Sequence, residues 1–217
     1  PTRRSSDLET LCQVVGELKV PTVLIAGNHD SPERLGFAGG LLRGQGLHLG
    51  TALAAAAEPL VLGDEHGPLE IHGLPYVEPA RVAELLGVEL PPGDHDAALR
   101  AMTDRIRASS SARKVLVAHA FVRGGEPTES ERPLAIGGAG TVSEEAFAGF
   151  AYVALGHLHR PQAVGKSGRI GYSGSLFRYS FGETNHTKSV QLITLDGDEC
   201  RVEPLALRPR RQLREIK

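Results

Sequence analysis

Two cysteines, one methionine and no tryptophan occur in 217 residues. Cys12 and Cys200 lie far apart with no Cys-x-x-Cys spacing. That excludes a disulfide scaffold and a cysteine zinc finger, and it fits a reducing compartment. An excess of one charge is missing as well: 24 basic side chains against 26 acidic ones leave −2. Without a globally cationic surface, nucleic-acid contact would need a local patch or a metal. Long apolar runs are absent. The longest candidate, Val20 to Ala26, is strand-sized, against the roughly 20 residues of a bilayer-crossing helix. The basic opening residues are followed by no apolar core, so no leader peptide is expected and the cytoplasm is the expected compartment. What is present is ordinary: 41% hydrophobic and 23% charged residues, the balance of a folded domain. On a prior of roughly 150 residues per domain, the length fits one domain or two small ones.

The opening Pro1-Thr2-Arg3-Arg4-Ser5-Ser6-Asp7-Leu8 matches one reading frame of a common sequencing-library adapter. Residues 1–8 are therefore expected to be a construction scar. Beyond it, Leu8, Leu11, Val14, Val15 and Leu18 follow the rhythm of an amphipathic helix. Thr22–Ala26 reads as a strand buried on both faces, ending in Gly27-Asn28-His29-Asp30. Ser31-Pro32 then starts a helix, Ser at N-cap and Pro at N1. Short strands are expected at 47–49, 59–62 and 69–73, and helices at 79–86 and 94–109. Val115–Ala118 repeats the pattern of a buried strand, ending in His119, and Tyr152–Gly156 repeats it again, ending in His157-Leu158-His159. The intervening 121–141 segment is Gly-rich and long, as functional or mobile loops are. Segments 169–172, 188–195 and 199–205 read as antiparallel strands turning at Asp196-Gly197. The Ala52–Ala57 run reads as a solvent-side helical turn or loop.

Three strand ends thus deliver Asn28, His29 and Asp30, then His119, then His157 and His159. Imidazole nitrogen and amide oxygen suit borderline divalent ions such as Mn²⁺, Zn²⁺ and Fe²⁺. One histidine after a buried strand is more often a hydrogen-bonded structural residue, and Asn28 alone could be a turn residue. Three such strand ends together point to a metal site at the sheet edge where α/β proteins build their sites. His48, His66, His72, His95 and His186 lie in surface-like or loop contexts and are not expected to be ligands.

Gly27-Asn28-His29-Asp30 and Gly156-His157-Leu158-His159 resemble motifs of the calcineurin-like metallophosphoesterases. The tract Tyr152–Gln162, with Tyr172-Ser173-Gly174-Ser175, Phe181-Gly182-Glu183 and Ser130-Glu131-Arg132-Pro133-Leu134, narrows the resemblance to the double-strand-break repair nucleases of that superfamily. The resemblance implies an α/β fold, a metallophosphoesterase β-sandwich flanked by helices and incomplete at the N-terminus. It implies a domain over 9–206 lacking its first strands, and over 207–217 the start of a linker to a capping domain. It implies two divalent ions, expected to be Mn²⁺, with Asn28, His119 and His157 on one and His159 on the other. His29 is then the residue at the scissile phosphate, and Asp30 its orienting hydrogen-bond partner. It implies DNA as substrate, an SMC-like ATPase as partner, and a homodimer within a heterotetramer, for which 31–42 is the candidate surface. Arg123, Arg132, Arg160 and Arg178 are candidate phosphate contacts.

The family also carries an Asp-x-His strand end and a Gly-Asp motif, and neither occurs here upstream of Asn28. Those motifs hold the remaining ligands and the bridging carboxylate, so the 217 residues alone are expected to be inactive. An unpaired sheet edge is expected to favour aggregation. Two other readings stay open: a phosphodiesterase acting on a small molecule or phosphoprotein, and a non-catalytic module that binds a partner.

Overall fold

The computed structural model describes residues 13, 15–17, 19–131, 140–209 and 213. The octapeptide 1–8, Cys12, most of the helix expected over 8–18, and Arg132, Pro133 and Leu134 lie outside the described residues. Residues 13 and 15–17 are helical.

The fold is mixed α/β. Strand β1 (Thr22–Ile25) pairs in parallel with β2 (Leu47–Gly50), Thr22 opposite Leu47 and Ile25 opposite Gly50. Between them lie two short helices, α1 (Pro32–Leu35) and α2 (Gly39–Arg43). Ser31 caps α1 through its side chain with Pro32 behind it, as the sequence predicts. The helix that starts at Pro32 is short, ending at Leu35 with Gly36 as its C-cap, and Ala38, left-handed at φ 63°, is the N-cap of the next.

A second sheet has six strands in the order β3-β4-β5-β8-β10-β9. These are β3 (Leu60–Asp64), β4 (Gly67–Leu74), β5 (Arg113–His119), β8 (Tyr152–Gly156), β9 (Gln162–Val164) and β10 (Ile170–Tyr172). The four central strands run parallel and the two edge strands antiparallel. The β4-to-β5 crossover carries α3 (Pro79–Leu86) and α4 (His95–Ala108), and parallel neighbours require such a long connection. Both helices pack Val82, Leu99, Met102 and Ile106 on the sheet face formed by Leu74, Leu116, Val153 and Leu155. Each of these is a core position worth about 1.5–3 kcal/mol of burial.

The opposite face of β4 and β5 meets the β1–β2 pair. Two glycines set the spacing: a Cβ on Gly50 would stand 2.9 Å from the Gly73 carbonyl oxygen. Only glycine lets the two backbones approach so closely. The expectation of strands buried on both faces needs correction. β1 is half-buried along its length, since among the described residues it pairs with β2 alone. In β5, Leu116 and Ala118 are buried while Val115 and Val117 are partly exposed. The Ala52–Ala57 run is, as expected, a helical turn, a 3₁₀ turn over Leu53–Ala57 with Ala52 and Ala54 exposed, but Ala56 is buried in the core.

Two strands, β6 (Phe121–Val122) and β7 (Thr141–Val142), pair in parallel. The strands β11 (Ser189–Asp196) and β12 (Glu199–Ala206) form an antiparallel hairpin in which Asp196 faces Glu199. Gly197 turns it at φ 55°. No helix among the described residues is long and apolar enough to cross a membrane.

Candidate metal centre

The parallel register sets the site. His119, the last residue of β5, lies opposite Gly156, the last residue of β8. The chain leaving β1 is fixed beside them, because Ala26 accepts a hydrogen bond from the Tyr76 N–H beyond β4 at 2.8 Å. Three strand ends therefore open on one side of the sheets, as expected from the sequence.

Glycine makes the meeting possible. A Cβ on Gly27 would lie 2.8 Å from His119 Cε1 and 2.9 Å from Nδ1, and one on Gly156 would lie 3.0 Å from Nδ1. The His119 ring is thus held between two side-chain-free strand ends. Its Nε2 is 2.9 Å from Asn28 Oδ1. The His157 ring stands edge-on, 5.3 Å between centroids. Asn28, His29, His119, His157 and His159 line one cleft of about 190 Å³ together with Ser130, Glu131 and Ser175.

Burial, reinforced by the neighbouring His157 and His29, pushes His119 down to about 4. Burial also lowers His157, with His159 and His29 adding to it. Both rings are therefore neutral at pH 7 and keep a lone pair for a cation. His157 occupies φ 119°, a left-handed region that costs a non-glycine residue of order 1–3 kcal/mol. Its neighbour Leu158 is buried in the core. The chain thus leaves the regular pleat at His157, so residues two apart both reach the cleft.

His159 is held from behind. Its Nδ1 is 2.7 Å from Ser130 Oγ and 3.2 Å from Glu183 Oε1, and its backbone N–H donates to Glu131 Oε1 at 2.5 Å. Ser130 donates to Glu183 in turn. Glu183 is fully buried and paired at 2.7 Å with Lys188 Nζ, which also donates to His159 O and Ser175 Oγ. Burial alone would raise the Glu183 carboxyl; bonds from Lys188, Ser130 and His159 hold it at about 2 instead. The Tyr172 hydroxyl donates to Ala120 O at 2.7 Å and accepts from the Val122 N–H at 2.9 Å. It fixes the chain just after His119.

Asp30 stands apart from the expected pairing. Its Oδ2 accepts from the Gly27 N–H at 2.8 Å, closing the turn, and it lines a larger cleft of about 650 Å³ with Glu33, Tyr76 and Arg81. No hydrogen bond joins Asp30 to His29 among the described residues. Of the candidate phosphate contacts, Arg160 is paired with Glu126 and Arg178 donates to His186 O. His72 is corrected from surface-like to fully buried, its nitrogens bonded to Ala56 O and Glu70.

Do these donors fit a divalent ion? Two donors about 2.1 Å from one ion sit about 3 Å apart, the spacing of His119 Nε2 and Asn28 Oδ1. The neutral imidazoles and amide oxygen fit a borderline dication. The fit is an open one. Among the described residues, the group that brings three His or carboxylate donor atoms within 4.8 Å is Glu65, His66 and Asp196 on the exposed hairpin turns, not the histidines of the cleft. Of the carboxylates nearest the cleft, Asp30 and Glu131 are both bonded to backbone N–H groups.

Sequence reasoning assigned no role to Ser130, Glu131, Glu183, Lys188 or Tyr172. All but Lys188 fall within tracts that carry the family resemblance, which was the available signal.

No family model matches the chain. The chain is 38% identical over 195 residues to the SbcD protein of the SbcCD nuclease of Bacillus subtilis (strain 168), covering 85% of this chain and 49% of that protein. It is 32% identical over 211 residues to the protein of the same name from Staphylococcus epidermidis (strain ATCC 12228 / FDA PCI 1200), covering 96% and 55%. The chain spans about half the length of these curated relatives.

Proposed function

Taking the chain as the SbcD homologue that these alignments support, we propose that it is part of a metal-dependent DNA nuclease subunit. Its β1–β2 layer against the six-stranded sheet is the metallophosphoesterase sandwich, and residues 9–206 are its domain. The reaction is hydrolysis of DNA phosphodiesters, exonucleolytic at double-strand ends and endonucleolytic at hairpins and single strands. Its setting is DNA repair, recombination and replication in the cytoplasm. The partner is the SMC-like ATPase SbcC, in a heterotetramer built on a homodimer; largely exposed Phe37 and Leu41 support the 31–42 segment as the dimer surface.

One observation carries this reading: the ends of β1, β5 and β8 bring Asn28, His29, His119, His157 and His159 into one cleft. In the full-length protein, Asn28, His119 and His157 would hold one divalent ion and His159, with the bridging carboxylate that these 217 residues lack, a second, Mn²⁺ being the proposed metal. Such ions polarise a phosphoryl oxygen and make hydroxide available at neutral pH. The protein's own part is to present neutral nitrogens in a fixed array and to keep His29 at the cleft wall, where it donates a hydrogen bond or proton to the leaving oxygen. The 217 residues carry no Asp-x-His or Gly-Asp motif before Asn28, and we propose that they are inactive alone.

The test compares the full-length nuclease protein, with its partner, on a hairpin oligonucleotide and on a small chromogenic phosphodiester in Mn²⁺. Hairpin cleavage lost in His157→Ala supports the nuclease reading; preferred turnover of the small ester overturns it. The open donor set favours one second reading, a non-catalytic partner-binding module. Elemental analysis finding no metal in the full-length protein would establish that reading.

A further inference from the structure

The Ser130-Glu131 tract, the Phe181-Gly182-Glu183 tract and Lys188 meet behind one histidine. We propose that Ser130, Glu183 and Lys188 are positioning residues that hold His159 as the Nδ1–H tautomer, leaving Nε2 as the nitrogen available to a cation. This role deepens the metal reading above and rests on it for its purpose, though not for its geometry.

Every polar atom in the cluster has a partner. Ser130 Oγ accepts from His159 Nδ1 at 2.7 Å and passes its own proton toward Glu183 Oε1. The same Oε1 lies 3.2 Å from His159 Nδ1, so either oxygen can accept that proton. With the Ser130 proton committed to the Glu183 carboxylate, both oxygens at Nδ1 act as acceptors, which fixes the proton on that nitrogen. Lys188 places its three protons on Glu183 Oε2, His159 O and Ser175 Oγ, at 2.7, 2.9 and 2.8 Å. Glu183 Oε2 also accepts from the Tyr179 N–H at 3.3 Å. The carboxylate therefore stays ionised and immobile, held by a buried ammonium that grips the backbone of the same histidine. Glu131 fixes the other side of that residue through its N–H. A carboxylate or hydroxyl on the far nitrogen of a ligating imidazole is the arrangement that orients such ligands, and its loss typically weakens metal binding 10- to 100-fold. A buried Glu–Lys pair could serve only to anchor loops. Anchoring alone, however, gives no reason for the hydroxyl and the carboxylate to converge on one ring nitrogen.

The experiment uses the full-length protein with ¹⁵N-labelled histidine at pH 8. Long-range proton–nitrogen spectra assign the His159 tautomer without metal, and calorimetric titration with Mn²⁺ reads affinity. Wild type is expected to show Nδ1–H. Ser130→Ala, which leaves only the 3.2 Å contact, is expected to raise the Nε2–H population and weaken Mn²⁺ about tenfold, with Ser130→Thr restoring both. Glu183→Gln is expected to approach a hundredfold loss. If that variant does not fold, Ser130→Ala and its rescue decide the matter. An Nε2–H tautomer in wild type, or a tautomer and affinity unmoved in Ser130→Ala, overturns the proposal. A wild-type tautomer that is Nδ1–H and responds to Ser130→Ala, in a protein that binds no Mn²⁺, supports the positioning role while removing the metal reading.

Discussion

Replacing Gly27 by alanine adds one methyl group where the structure has no room for it. The new Cβ would stand 2.8 Å from His119 Cε1 and 2.9 Å from Nδ1, so the ring must retreat about 0.6 Å to regain the 3.4 Å of ordinary contact. Gly27 is not among the positive-φ residues, so the backbone itself accepts alanine. The cost is therefore steric, of the kind that overpacking a filled site incurs, about 1–3 kcal/mol. In a chain of this size each kcal/mol moves Tm by about 2–4 °C, which predicts a loss of about 2–12 °C. The same retreat stretches the 2.9 Å Asn28–His119 bond out of good range, so Mn²⁺ affinity should fall with it. Gly40→Ala in α2 is the control, since nothing lies within 4 Å of its Cβ; there alanine is expected to be neutral or stabilising by about 0.5–1 kcal/mol. Scanning calorimetry and Mn²⁺ titration of the two variants check the argument. Wild-type Tm and affinity in Gly27→Ala would show that His119 is not gripped between the glycines.

The depressed His119 makes the native state lose stability as pH falls. The unfolded ring takes a proton near 6.5 and the folded one only near 4, so the contribution is complete above pH 6.5 and lost between 6.5 and 4. At 1.36 kcal/mol per unit this is at most about 3 kcal/mol, and His119→Gln should flatten the Tm profile in that window. Glu183 has a lowered carboxyl and the opposite chemistry but the same direction: its contribution, present above pH 4.5, is lost as pH falls toward 2, a limb that Glu183→Gln should remove. Tyr172→Phe leaves the buried Val122 N–H and Ala120 carbonyl without the hydroxyl that joins them; denaturant unfolding should show a loss of about 1–3 kcal/mol.

Much of this architecture is legible in the sequence where the pattern has length. Helix α3 falls at the expected 79–86, and α4 differs by one residue at each end because Asp94 and Ser109 are its caps: the Asp94 side chain accepts from the Ala97 N–H. β9 escapes notice, since three residues are too few to show a period. The alanine run gives the turn but not its face, because five alanines around a single leucine carry little amphipathic signal. His72 misleads because its compensation, Ala56 O, comes from sixteen residues away. The histidine cleft is legible because each contributing group ends a short apolar run. The clamp on His159 is not, because its partners lie 24 and 29 residues away in segments with no periodicity of their own.

Charge sets how much cation this cleft can take. Its donors are neutral imidazoles and an amide, and the nearby Asp30 and Glu131 carboxylates are engaged by backbone N–H groups. Two unit charges 4 Å apart repel by about 4 kcal/mol at an effective dielectric of about 20. Two dications at that separation repel about four times as strongly, on the order of 16 kcal/mol. Neutral donors stabilise each ion but do nothing to offset that repulsion; a bridging carboxylate does. The 217 residues should therefore bind one Mn²⁺ and refuse a second, with His157→Ala abolishing the one. Mn²⁺ electron spin resonance and elemental analysis count the ions directly, and a stoichiometry of two, with exchange coupling between them, would show that some other group supplies the missing charge.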